Sequence, residues 1–215
     1  SQGWQSHKIG DMFVLERQLP FGKSLLYAPE VTIKKTSEIS EFSKISNNAI
    51  FFRLEIINEI TPDYVAALEK AGFKKSFEEM QPEHRQIIYL TPTLEEILKQ
   101  MKPKGRYNIN VAKRHGVRVT SGDRKTFYKL YSQAAKRDKF SSRSQNYFEK
   151  LIEYFPEHIE IFVATYNHEP IAAVIVTFWQ GVASYLYGGS SNEHRQVMAP
   201  YLLHWKIIEE AKQRG

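Results

Sequence analysis

The chain has 215 residues, 42% of them hydrophobic and 25% charged, with a formal net charge of +6, enough for one large domain or two small ones around a sizeable core. It contains no cysteine, which excludes a disulfide scaffold, a thiol nucleophile, zinc ribbons and cluster ligation together. The longest uncharged apolar run, Ile171 to Trp179, is about half of a spanning helix, so no transmembrane segment is expected. A start at Ser1 and a stop at Gly215, just after a helical pattern, read as a piece of a longer protein.

In chain order, Met12 to Leu19 and Ser24 to Tyr27 form a strand pair around a turn at Pro20, Phe21 and Gly22. Ala49 to Ile56 reads as an apolar strand, Pro62 to Ala71 as a helix ended by Gly72, and Gln86 to Leu90 as a returning strand. Thr93 stands three residues before Glu96, a capping box opening a helix to Met101, and a basic helix follows Pro103 and runs to about Arg114. The second half continues with a strand at Val117 to Thr120, helices at Arg124 to Arg137 and Gln145 to Tyr154, and strands at Ile159 to Thr165, Ile171 to Trp179 and Ala183 to Tyr187. A helix from Pro200 to Gln213 closes it. Two consecutive mixed α/β units of similar order suggest a duplication, and the second has the element order of the N-acetyltransferase-like (GNAT) fold, an order that several folds share. The expected architecture is therefore α/β (α+β): tandem GNAT-like domains at 1–98 and 117–215, the second incomplete, joined by a basic linker helix at 99–116.

The positive charge is concentrated. Between Lys99 and Arg143 lie fourteen Lys or Arg against two acids, Asp123 and Asp138. Such a surface attracts polyanions at long range, and a solvated helix face explains it equally well.

Several chemistries are missing from the pattern. No Gly-rich phosphate loop opens a helix. Gly188-Gly189-Ser190-Ser191 has Asn192 where a nucleophile elbow needs its last glycine, so these residues read as a turn at a strand end. The seven histidines are scattered without ligand spacing, no metal site is expected, and His194 and His204 read as surface or packing residues. An acyl-CoA enzyme of the GNAT fold needs a nest of bare N–H groups ahead of its last helix. Here Arg195 to Tyr201 carries side chains and Pro200, which disfavours CoA, and no cofactor is expected.

Three stretches together carry a resemblance. Lys102-Pro103-Lys104-Gly105-Arg106-Tyr107-Asn108-Ile109 with Ala112 to Val117, then Tyr185-Leu186-Tyr187-Gly188-Gly189-Ser190 with Ala199-Pro200-Tyr201-Leu202-Leu203-His204-Trp205, and at the start Gln2-Gly3-Trp4, Lys8 and Leu25 to Pro29, resemble the Fem-type (FemABX) peptidoglycan bridge transferases. The resemblance implies two GNAT-like domains and transfer of an amino acid from aminoacyl-tRNA to the stem-peptide lysine, or an earlier bridge residue, of lipid II or UDP-MurNAc-pentapeptide. It is to the members without a long helical arm. A family lysine thought to matter for acyl transfer lies beyond Gly215, so no catalytic residue is assigned. The implied location is cytoplasmic, with room for peripheral contact at the inner membrane face.

Carried over residue by residue, the resemblance makes Lys8 and Arg143 diphosphate ligands, with Ser141 and Tyr147 beside Arg143, Tyr187 a substrate tyrosine and Glu55 an acidic group of the precursor site. A forked cation before a helix start suits a diphosphate. Each has a plainer alternative: a solvated lysine, a helix-start arginine, packed tyrosines, or an edge-strand pair of Arg53 with Glu55. Lys102, Lys104, Arg106, Lys113 and Arg114 are the expected tRNA contacts, weak and salt-dependent. Lys8 and Arg143 are expected to converge on one cleft. The competing functions are an acyl-CoA-dependent N-acyltransferase and a non-catalytic RNA-binding module. Against the module, Tyr107, Phe127, Tyr128 and Tyr131 lie on helical patterns rather than stacking strands.

Overall fold

The computed structural model describes residues 3–9, 12–39, 49–77, 80–82 and 84–215. The chain divides into two compact units, Ser1–Ile87 and Ile88–Gly215, and each is described by itself. Gln2 of the opening motif lies outside the described residues.

The first unit is a four-stranded sheet in the order β1 (Trp4–Ile9), β2 (Met12–Gln18), β3 (Ser24–Val31), β4 (Ala49–Ile56). The first two pairings are antiparallel and β3–β4 is parallel. Helix α1 (Pro62–Lys70) takes its start from Pro62 in the first turn, where a missing N–H costs nothing. One sheet face, with Val14, Leu26 and Ala28, is buried together with Tyr64, Ala67 and Leu68 of α1. The alternation of strand side chains turns Lys8 and Arg53 to the other face, in rows with Phe13, Leu15 and Tyr27. The expected strand at 86–90 is absent: residues 84–90 run without a ladder, and Ile87 and Tyr89 are 66% and 74% exposed. Apolar composition alone supplied that expectation, and among the described residues no strand stands beyond β4.

In the second unit helix α2 (Leu94–Gln100) opens on a complete capping box, with Thr93 accepting from the Glu96 N–H and Glu96 accepting from the Thr93 N–H. Helix α3 (Pro103–Arg114), strand β5 (Arg118–Ser121), helices α4 (Arg124–Asp138) and α5 (Gln145–Tyr154), strands β6 (Ile159–Tyr166), β7 (Glu169–Trp179) and β8 (Val182–Ser190), and helix α6 (Ala199–Gln213) follow. The four strands pair in sequence order, all antiparallel. Both faces are covered, giving three layers. Ile97, Ile109, Ala112, Leu202, Leu203 and Trp205 meet Phe162, Ala164, Val174 and Val176 on one side. Phe127, Leu130, Tyr131 and Phe148 meet Ile161, Val163, Ala173 and Ile175 on the other. This two-sided burial is why β7 reads as an unbroken apolar run rather than an alternating one.

The mixed α+β reading with two sheet-based units agrees with this architecture. The division falls at Ile87/Ile88 rather than at 98/99, because Ile97, Ile109 and Ala112 pack into the second core. Helix α3 is thus part of that unit's outer layer. The last helix also returns to the entry of the unit, where Lys212 Nζ donates to the Leu90 carbonyl at 2.7 Å.

Candidate functional site

Period-2 alternation would set Tyr185 and Tyr187 on one face of β8. The register prevents it. Tyr187 pairs with Ile175 and Tyr185 with the next residue, Val176, so Leu186 is the extra residue of a β-bulge. Ile175 and Val176 belong to opposite cores, and the bulge therefore turns Tyr187 toward α4 and α5 while Tyr185 faces α6, its ring 5.2 Å from that of His204. The glycines after Tyr187 are strand residues, not a turn, since β8 continues to Ser190. Gly189 is where α4 crosses: a Cβ there would lie 2.6 Å from the Leu130 carbonyl oxygen and the Tyr131 Cα.

Around Tyr187 stands an aromatic cluster from both helices. Phe148 lies edge-on to Tyr187 and Tyr131 at 5.1 and 5.0 Å, and Tyr131 is stacked on Phe127 at 5.6 Å. The hydroxyls of Tyr147 and Tyr187 are 2.9 Å apart in a single hydrogen bond that either can donate, leaving the other's O–H free. Ser144 Oγ accepts from the Tyr147 N–H and caps α5, which fixes the first turn carrying Tyr147. The Arg143 guanidinium stands over the Tyr147 ring, 5.5 Å from its centre, and the Arg143 backbone N–H donates to Tyr131 Oη at 3.4 Å.

Burial, and then the hydrogen bond with Tyr147, push the Tyr187 phenol up to about 12, with Arg143 pulling the other way. At neutral pH Tyr187 is accordingly an uncharged hydroxyl donor beside a fixed cation. One exposed guanidinium fork flanked by two half-buried phenols presents directed donors to an oxyanion, phosphate above all.

Of the residues singled out by sequence, Arg143, Tyr147 and Tyr187 are thus brought together. Ser141 lies two residues before Arg143 in the same segment, exposed and without a hydrogen bond among the described residues. Tyr131, by its sequence pattern, reads as a helix aromatic. It is on a helix and 5% exposed, yet its hydroxyl reaches the Arg143 segment, and its i,i+4 spacing from Phe127 was the available signal.

Lys8 and Glu55 belong to the first unit. Lys8 pairs with Phe13, and Ser6, Leu15, Tyr27 and Arg53 form the neighbouring row across the four strands. Lys8 and Glu55 therefore share the face away from α1 but occupy its opposite edge strands, about 14 Å apart at three strand spacings. Lys8 is exposed. Glu55 accepts from Arg53 Nε at 2.8 Å and from the Met80 N–H at 3.2 Å, the edge-strand pair that the sequence left open.

The basic residues do not form one surface. Helix α3 lies on one side of the second sheet and α4 on the other, so the run of fourteen cations is cut in two by the core. On α3, Lys102, Lys104, Lys113 and Arg114 are exposed, and Arg114 stands over the ring of Tyr107 at 5.8 Å. Arg106 is half-buried and donates to the carbonyls of Lys99 and Met101, closing the C-terminus of α2.

A sequence model described as the FemAB family matches residues 29–170 and 165–215. Among solved structures, FemX superposes over 100% of this chain and 78% of its own, with a TM-score of 0.75 at 17% identity. A C-terminal domain ascribed to a lysylphosphatidylglycerol synthetase from Agrobacterium fabrum covers 99% of this chain and 68% of that one, with a TM-score of 0.52 at 11% identity. Both likenesses are of fold. No curated protein matches the chain with significance.

Proposed function

Because the chain belongs to the FemAB family, the aminoacyltransferases of peptidoglycan bridge synthesis, we propose that it moves an amino acid from aminoacyl-tRNA to an amine of a peptidoglycan precursor, lipid II or UDP-MurNAc-pentapeptide. The observation that carries this reading is the Arg143–Tyr147–Tyr187 cluster, a set of directed donors suited to the precursor's diphosphate. On the first unit, Lys8 is the proposed phosphate cation and Glu55 the acidic group proposed to meet an amine or hydroxyl of the precursor. Lys102, Lys104, Lys113 and Arg114 take the tRNA backbone, with Tyr107 as a stacking surface beside them.

The reaction asks little covalent chemistry of the protein. The acceptor amine attacks the ester carbonyl, the C–N bond forms as the bond to the ribose oxygen breaks, and the amine proton leaves with that oxygen. Positioning of the two substrates and stabilisation of the transient oxyanion carry the rate. A chain without cysteine is compatible with this, since no protein nucleophile intervenes.

The test is transfer of radiolabelled amino acid from charged tRNA to UDP-MurNAc-pentapeptide and, separately, to lipid II, run in parallel with acetyl-CoA as donor and with uncharged tRNA binding alone. Label on the muramyl peptide that depends on charged tRNA is expected. Acetyl transfer to small amines, or tRNA binding without any transfer to either acceptor form, would overturn the reading.

A further inference from the structure

The function proposed above gives the precursor to the Tyr187 face of β8 and the tRNA backbone to α3, and leaves the other face of β8 unexplained. There the Leu186 bulge turns Tyr185 toward α6. Its ring lies against Gly188, where a Cβ would stand 3.0 Å from Cε2 and Cζ and would collide with the hydroxyl. The His204 imidazole stands beside it, 5.2 Å away between ring centres and tilted by 41°. Tyr201, 40% exposed, precedes His204 by three residues and so shares its face of α6.

These rings are reachable and yet desolvated. Tyr185 is 52% exposed and His204 is exposed, but burial pushes the Tyr185 phenol up and the His204 imidazole down. Groups that meet solvent while surrounding protein disfavours their charged forms line a recess, not a convex surface. Both are uncharged at neutral pH. The first turn of α6 carries no acid, and Met198 at its start gives no side-chain cap, so nothing there offsets the positive end of the helix.

We propose that Tyr185 and His204 hold the 3′-terminal adenosine of the aminoacyl-tRNA donor, on the face of β8 opposite the precursor. Flat, uncharged rings give a base something to stack on, and a neutral imidazole adds one donor and one acceptor for the base edge or the ribose. The placement favours a tRNA end over a free nucleotide. Helix α3, with its cations and Tyr107, packs with α6 on this side of the sheet, so a strand leaving α3 reaches the recess without crossing the sheet. The precursor cluster lies on the other side. Among the described residues β8 is the last strand of its sheet, so an ester held on one face and an amine held on the other can meet beyond a single edge. Coenzyme A is the competing adenine ligand, and Pro200 with the side chains from Arg195 to Tyr201 denies its pyrophosphate a nest of bare N–H groups. The inference rests on the transferase reading for the identity of the occupant.

The test uses the whole chain and compares, by fluorescence anisotropy, an uncharged tRNA with the same tRNA lacking its terminal adenosine. The parent is expected to bind the complete tRNA about tenfold more tightly, the worth of one modest base–aromatic stack. Tyr185→Ala combined with His204→Ala should bring the complete tRNA down to the affinity of the shortened one and leave the shortened one unchanged. Tyr185→Phe keeps the ring and should keep the discrimination. Equal binding of both tRNAs by the parent, which needs no variant, overturns the proposal and leaves the transferase reading standing. So does a double variant that still discriminates, or one that loses both tRNAs equally, which would place these residues on the backbone path. Displacement of the complete tRNA by micromolar coenzyme A would give the recess to another ligand and overturn it too. If neither tRNA binds, the occupant is wrong, and transfer from charged tRNA then decides the transferase reading by itself.

Discussion

Replacing Gly189 by alanine tests the packing on which the tyrosine cluster depends. The added Cβ would sit 2.6 Å from the Leu130 carbonyl oxygen and the Tyr131 Cα. Both are backbone atoms of α4, so no side-chain rotation relieves the clash. The strand and the helix must separate by about 0.8 Å to restore ordinary contact, a displacement that a close-packed interior resists. Overpacking of this kind costs about 1–3 kcal/mol, which for a unit of this size lowers Tm by about 3–5 °C per kcal/mol. The internal control is Gly105→Ala on α3, where the nearest atom to a new Cβ is Met101 Cβ at 4.0 Å and the backbone is helical. That change should stabilise by about 0.5–1 kcal/mol through lost unfolded-state freedom. Calorimetry on both variants gives the sign, and near-ultraviolet circular dichroism of Gly189→Ala should show the tyrosine signal altered. A Gly189→Ala variant as stable as the parent, or Gly105→Ala less stable than Gly189→Ala, would refute the reasoning.

Arg143→Ala should weaken binding of UDP-MurNAc-pentapeptide by about 1.5–3 kcal/mol, and Arg143→Lys should recover part of it, because the charge survives without the fork; titration calorimetry on both decides. Tyr187 makes the fold alkali-sensitive: with its phenol raised from 10.0 to about 12, its contribution is complete below pH ~10 and is lost as pH rises through the folded value. Phenolate absorbance should show a late-titrating tyrosine that Tyr187→Phe removes, and an unchanged titration curve in that variant would contradict the assignment. Neutralising Lys102, Lys104 and Lys113 together should flatten the log–log salt dependence of tRNA binding by about 2–3 units of slope, and a parallel line at lower affinity would assign their effect to something other than phosphate contact.

Most second-unit elements were legible because two-sided burial writes long apolar runs and helix starts carry caps, as at Thr93 and Asp123. Strand β1 was not, since Trp4–Ile9 is a polar edge strand with few apolar residues to show a period. Sequence brought Arg143, Tyr147 and Tyr187 to notice through resemblance, but their meeting depends on the bulge at Leu186, which a period-2 reading cannot contain. The same holds for the cations. Fourteen residues near in sequence look like one surface until a sheet is laid between their helices, and Arg106 looks like its neighbours until α2 ends beside it. Gly188 and Gly189 read as a turn for a related reason: a turn and, at Gly189, a close helix–strand crossing demand the same missing side chain.

The bond from Lys212 to the Leu90 carbonyl makes the second unit a closed circuit. Leu90 and Gly215 line one small cavity of about 210 Å³, so these two residues adjoin at one corner of the sheet. Two segments that adjoin can be joined without disturbing the layers between them. Joining 215 to 88 with a short flexible linker and opening the chain at the tight Asn167–His168 turn, where both residues have positive φ, yields a circular permutant with every strand pairing of β5 to β8 preserved. In that permutant α2 and α3 follow α6 directly, so the layer these three share is complete in the chain before α4 and α5 are made.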